Sequence, residues 1–386
     1  MQRRNFLKNG LFIGCCAAAS PAFSPMAFAA VPGDQRLVVI ILRGGMDGLD
    51  VIQPHGDPML KKFRPNFKIG PAQGAISLSN MFSLHPSLSG LRPLWNAGEL
   101  SFAHAVSTPY RDKRSHFDGQ DLLEAGTGPR LPLPLTQTGW LNRMVQAMPR
   151  VTTETAYNVG ADAGIILRGA AKSSDWNPDV TMQLNSSGIQ LLKSVCGKDA
   201  VFLHALDRAV AISSSSKMTS NDSESAVRYA KFIAGKLKAQ SRIASFSISG
   251  WDTHADQAGQ LPGALKALAS AILTLKKDLG PAVWRNTTVM AMTEFGRTVH
   301  VNGSGGTDHG TGGALIMAGG TLKGKTVHGK WPGLSNLYQN RDLLPTADIR
   351  VYPAWAIHKL FGVSRARIES AIFPGLSMGA DPKFLA

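Results

Sequence analysis

The chain is poor in cysteine, in acidic residues and in long apolar runs, and each shortage narrows what it can be. Of its three cysteines, Cys15 and Cys16 fall in an N-terminal stretch that reads as a leader, so only Cys196 remains once that is removed. A single thiol forms no internal disulfide, and stability outside the cytoplasm then has to come from a hydrophobic core. Beyond the leader no run approaches the roughly 18 apolar residues of a membrane-spanning helix, so no membrane span is expected after cleavage. Acidic residues number 26 against 41 basic ones, a formal net charge of +15. Such an excess steers anionic partners toward the surface. It comes without a recognition helix, a zinc finger or a basic–aromatic pattern, and nucleic-acid binding is therefore not expected. An anionic small-molecule or polymer substrate accounts for the charge, and so does a plain solvated basic surface.

Residues 1–29 open with Gln2-Arg-Arg-Asn-Phe-Leu-Lys8, continue through a modest apolar stretch and end in Ala27-Phe-Ala29, a small-x-small cleavage signal. Paired arginines followed by a hydrophobic pair and a lysine match the twin-arginine export consensus. The twin-arginine translocase is thus the expected partner during export, and the periplasm or the exterior the expected location. An ordinary secretory signal shares the charge, the apolar region and the cleavage site. Residues 30–386 are long enough for one large α/β domain.

Within that domain, apolar runs of strand length alternate with helical patterns. Strands are expected at Leu37–Leu42, Leu100–Val106, Ile243–Ser249, Thr287–Met292 and Ala314–Ala318. Helices are expected from about Ser115, over 257–279 and over 353–361. Alternation of this kind argues a mostly parallel sheet with helices on both faces, a three-layer sandwich. Residues 150–240 differ in character, with helices expected around 188–196, 200–212 and 224–240 and a polar run at 213–223. They read as a helical cap or insertion.

The chemistry-bearing residues cluster where strands end, which is where open α/β sheets assemble sites. Asp47 follows the first strand in Arg43-Gly-Gly-Met-Asp-Gly-Leu-Asp50, where glycines permit a sharp turn. Trp251-Asp-Thr-His254 puts Asp252 and His254 on one side of an extended segment. Thr293-Glu-Phe-Gly-Arg-Thr298 ends a strand in Glu294, and Gly306-Thr-Asp-His-Gly310 adds Asp308 and His309. Together they read as oxygen and nitrogen ligands for a divalent cation, with zinc, manganese or iron favoured over calcium. Ser115, with His116 beside it and Asp118 three positions on, reads both as a helix-capping box and as a hydroxyl at the positive end of a helix. Ser107, in Ser107-Thr-Pro-Tyr-Arg111, is a second hydroxyl at a strand end.

With these motifs in view, the chain resembles the alkaline phosphatase superfamily, sulfatases included. More narrowly it resembles the twin-arginine-exported branch called domain of unknown function 1501. The motifs carrying the likeness are Gly44-Gly-Met-Asp-Gly-Leu49, Ser115-His-Phe117, Gly250-Trp-Asp-Thr-His254, Thr293-Glu-Phe-Gly-Arg297 and Asp308-His-Gly310. The resemblance implies an alkaline-phosphatase-like sandwich with one or two metal ions held by Asp47, Asp252, His254, Glu294 and His309. It also implies a nucleophile at Ser115 or Ser107. Glu294-Phe295 stands where the superfamily has Asp-His, and Arg297 is placed to supply positive charge to a substrate anion. Another alignment gives the Asp-His role to Asp308-His309 and the last ligand to His328. Two functions follow: an exported hydrolase of phosphate or sulfate esters, and a non-catalytic exported binding or assembly protein that retains the fold.

Overall fold

The computed structural model describes residues 34–131, 133–134, 137–160, 164–177, 193, 203, 206 and 222–386. The leader and most of 178–221, including the helices expected there, lie outside the described residues. A nine-stranded sheet organises the rest. In chain order its strands are β1 (Arg36–Leu42), β2 (Leu100–Ser107), β3 (Ala156–Val159), β4 (Ser174–Trp176), β5 (Ile243–Ile248), β6 (Thr287–Thr293), β7 (Gly313–Ala318), β8 (Val327–His328) and β9 (Ala347–Asp348). The spatial order is β8-β2-β7-β6-β1-β5-β3-β4, with β9 also paired to β2. β1 is parallel to β5 and to β6, while β7 runs antiparallel to both of its neighbours.

All seven residues of β1 are buried, and their alternation divides the core. Val38, Ile40 and Leu42 belong to the core on one face; Leu37, Val39 and Ile41 belong to the core on the other. A strand covered on both sides has no polar face to show, which is why it reads as an unbroken apolar run. Burying each such side chain stabilises by about 1.5–3 kcal/mol. Among the described residues, helices that cover this sheet or lead into its loops include α1 (Gly48–Val51), α2 (His116–Ala125), α3 (Trp140–Gln146), α4 (Asp222–Lys238), α5 (Gln257–Trp284) and α6 (Val351–Phe361). α4 and α5 cover the first face and α3 and α6 the second, giving the three-layer α/β sandwich. α5 breaks at Gly280, whose φ of 71° leaves the helical region ahead of Pro281. The end expected at 279 has this cause.

Within 150–240, the described parts add strands as well as a helix to the sheet and its cover. The first part supplies β3 and β4, which extend the sheet beyond β5, and the last part, α4, packs on the sheet face. β3 spans four residues and β4 three. Segments so short carry too few residues for a period-2 pattern to show.

Candidate metal centre

The register of the sheet sets where its loops emerge. Leu42 lies level with both Ile248 and Thr293. The segments that follow β1, β5 and β6 therefore leave the sheet side by side at its carboxyl edge. Because β7 runs the other way, the Asp308–His309 loop that precedes it reaches the same edge, and Arg297 and His309 form an isolated bridge there. Gly44 lets the first two loops touch. Its φ is 124°, and a Cβ placed on it would sit 2.5 Å from the Asp252 backbone nitrogen. α2 starts at the same edge, with Ser115 as its N-cap.

Three imidazoles converge there on one carboxylate oxygen. Asp252 Oδ1 lies 3.2 Å from His116 Nε2, 3.0 Å from His254 Nε2 and 3.2 Å from His309 Nε2. His116, Asp252 and His309 bring ligand atoms within 4.8 Å of one another, and His254 adjoins them with its Nε2 2.9 Å from His309 Nε2. Each ring is held from behind through Nδ1. His116 Nδ1 meets Glu294 Oε1 at 2.7 Å, His254 Nδ1 meets Asp308 Oδ1 at 3.0 Å, and His309 Nδ1 meets the Arg114 carbonyl at 2.7 Å. Carboxylate and carbonyl oxygens only accept, so each Nδ1 carries a proton, and in the neutral ring Nε2 then holds the lone pair that a cation can use. His116 Nε2 is buried and makes no hydrogen bond. Three ring nitrogens and one carboxylate oxygen facing a shared point fit a divalent ion of the zinc, manganese or iron type.

The local charges follow from this packing. Burial works against a charged His116, but Glu294 and Asp252 outweigh it and raise its pKa. Burial likewise works against the Asp252 carboxylate, yet the Arg297 hydrogen bond and the His116 charge hold its pKa below the usual range. His309 is lowered by burial and by the nearby His116 and Arg297 charges, which favours the neutral imidazole that a metal needs.

Several expected roles change once the side chains are placed. Asp47 does not join the cluster. It pairs with Arg64 at 2.6 Å, both side chains being 1% exposed, and accepts from Gln257 at 2.6 Å. Glu294 is fully buried behind His116 and also accepts from the Gly44 amide and Gln120, each at 3.0 Å. It backs the His116 ring, as Asp308 backs that of His254. Arg297 is buried too; it bonds Asp252 Oδ1 at 2.6 Å and the Thr307 carbonyl, so its guanidinium is spent on protein oxygens. His116, a secondary candidate in the sequence, takes a central place. Ser115 Oγ accepts from the Asp118 amide at 3.4 Å. Ser107 is buried, with Oγ donating to the Thr108 carbonyl and accepting from Arg111. His328 sits in β8, outside the cluster. Arg64 and Gln257 gave no signal of their own, one lying in an ordinary basic stretch and the other in an amphipathic helix.

Residues 96–351 match the family described as protein of unknown function (DUF1501). The chain belongs to this family. It is the one expected from the motifs, and the match takes in His116, Asp252, His254, Glu294, Arg297 and His309. No curated protein sequence matches the chain. Among solved structures, it is similar to the lipoteichoic acid synthase LtaP from Listeria monocytogenes, with 11% identity and a TM-score of 0.43, covering 86% of this chain and 73% of that one. It is also similar to BT1596, a 2-O GAG sulfatase, with 12% identity and a TM-score of 0.42, covering 92% and 76%. A third is a protein in the alkaline phosphatase superfamily from Vibrio parahaemolyticus, with 12% identity and a TM-score of 0.34, covering 74% and 61%. The layer order and strand directions of this DUF1501 member rest on its own strand pairing. Among the described residues no helix is long and apolar enough to cross a membrane.

Proposed function

We propose that this protein is an exported hydrolase of phosphate or sulfate esters, working with one divalent cation held by His116, Asp252, His254 and His309. The observation that carries the reading is the set of three Nε2 atoms gathered around Asp252 Oδ1, each ring fixed by an acceptor on Nδ1. When bound, the cation supplies charge stabilisation at the transferring group and lowers the pKa of an attacking oxygen. One ion is proposed in place of two, because Asp47 and Glu294 are committed to Arg64 and His116.

The chain's own residues do the rest. Ser115 supplies the attacking hydroxyl from the N-terminal end of α2, where the helix dipole favours a developing negative oxygen. As its Oγ bonds to phosphorus or sulfur, the bond to the leaving oxygen breaks, and water later cleaves the serine ester. Arg297 keeps Asp252 ionised and aimed. Export by the twin-arginine translocase and a periplasmic or external site of action belong to the same proposal.

The Ser115 cap favours a second reading, a non-catalytic exported binding or assembly protein, since a capping hydroxyl needs no chemistry. Metal analysis of the folded, exported protein, together with hydrolysis of p-nitrophenyl phosphate and p-nitrophenyl sulfate, separates the two. The hydrolase reading expects stoichiometric metal, ester cleavage, and loss of both in Asp252→Ala/His309→Ala. Metal-free protein that stays inert after reconstitution sinks it.

A further inference from the structure

Beside the centre lies a cleft of about 410 Å³ whose walls include Arg43, Phe117, Gln120, Asp121, Glu124 and Arg168. α2 separates the two. His116 and Gln120, four residues apart, both bond Glu294 Oε1; Phe117, Asp121 and Glu124 recur at helical spacing along the cleft. Cleft and cluster are therefore joined through α2 and the shared Glu294 contact.

Two features set its chemistry. Phe117 is 85% exposed, the one large exposed hydrophobic among the described residues. Set against the cleft, the uncovered ring offers an aromatic face on which a ligand in the cleft can pack. The polar walls cancel in charge, with Arg43 and Arg168 set against Asp121 and Glu124. Arg43 and Glu124 are also fixed in place. Arg43 bonds Glu124 at 2.7 Å, Gln120 at 2.8 Å and Ser247 at 2.9 Å, and Glu124 accepts from the Ile166 amide at 3.0 Å. Gly164 keeps the floor open, since a Cβ there would meet Glu124 Oε2 at 2.3 Å. An apolar ligand would desolvate these groups without bonding them, and a strongly charged one would find no net attraction. Hydroxyl groups both donate and accept, and the C–H face of a sugar ring packs on an aromatic face.

We infer that the cleft binds a sugar or similar polyol, as the portion of the ester remote from the reacting group. The assignment to a substrate rests on the hydrolase reading, whereas the binding itself does not. Saturation-transfer NMR on the full mature protein tests it, with maltotriose, galactose and N-acetylglucosamine as probes, on wild type, Phe117→Ala, Phe117→Trp and Arg168→Ala. These side chains are exposed, and thermal melts confirm that each variant folds. The expected result is transfer to ring protons of at least one sugar, weakened about tenfold in Phe117→Ala and restored in Phe117→Trp, with metal content unchanged. No transfer from any sugar, or binding untouched by Phe117→Ala, overturns the inference. Sugar binding without ester hydrolysis leaves the cleft standing and removes the hydrolase reading alone.

Discussion

His254 and His309 meet Nε2 to Nε2 at 2.9 Å while each commits its Nδ1 to an oxygen acceptor. Two neutral imidazoles so arranged would press lone pair against lone pair. The contact is stable only with a positive charge in it, either a proton on one ring or a cation drawing both. A cation also meets the third lone pair, on His116, which no shared proton does. The expected outcome is that a chelated sample melts earlier and that zinc or manganese restores the melt with saturation at one equivalent. His309→Ala should abolish the restoration. Scanning fluorimetry with parallel elemental analysis checks it, and saturation at two equivalents would mean a second site.

The residues behind the rings should matter through affinity. Asp308 is about half exposed and accepts from Asn302 as well as meeting His254. Asp308→Asn should leave the melt of the chelated protein in place and weaken metal binding by about 10–100-fold. A competition titration against a chromogenic chelator reads the change. Unaltered affinity would show that the His254 ring needs no such support.

Asp47 separates a structural role from a ligand role. With Arg64 fully buried opposite it, Asp47→Ala leaves an unpaired charge in the interior. The expected loss is on the order of 3–5 kcal/mol of stability, read by urea unfolding. Metal stoichiometry in the folded fraction should stay at the wild-type value. A stable variant that has lost its metal would return Asp47 to the ligands.

What was legible in the sequence was whatever lies close in sequence to a strand. The apolar runs of β1, β5, β6 and β7 announced a covered sheet, and the polar residues at their ends announced its site. Asp252, His254 and His309 were named that way. What was not legible was the partner of each group. Whether a carboxylate at a strand end points at a metal or backs a histidine depends on contacts such as Glu294 with His116, 178 positions apart. Asp47 looked like a ligand because nothing in its neighbourhood reveals that Arg64 folds back onto it. His116 was read mainly through its serine neighbour, since a capping box already explained that segment.

Ser115 and Ser107 are resolved by substitution. Ser115→Ala removes a cap, an expected cost of about 1 kcal/mol, and under the hydrolase reading abolishes turnover with metal retained. Ser107→Ala should lower turnover only modestly, because its hydroxyl is spent on Thr108 and Arg111. Turnover surviving in Ser115→Ala while metal stays bound would remove the serine from the chemistry.

Stability against pH turns on His104 in β2. Its Nε2 donates to the Gly48 and Ile52 carbonyls at 3.1 and 2.9 Å, and its Nδ1 accepts from the Ala105 amide at 2.9 Å. Both nitrogens are therefore satisfied only in the neutral ring; a second proton would set Nδ1–H against N–H. Burial lowers its pKa from 6.5 to about 4. Above pH 6.5 folded and unfolded chains both hold the ring neutral, and it contributes its full share of stability. As pH falls below 6.5 the unfolded chain takes up a proton that the folded one refuses, so stability drops by about 1.4 kcal/mol per unit until pH 4. Unfolding free energies of wild type and His104→Gln at pH 7 and pH 4.5 check this, since other titrating groups cancel in the comparison. The variant should start less stable at pH 7, and its loss on acidification should be smaller than that of wild type by about 2–3 kcal/mol. Equal losses in the two proteins would mean that His104 takes its proton in the folded state.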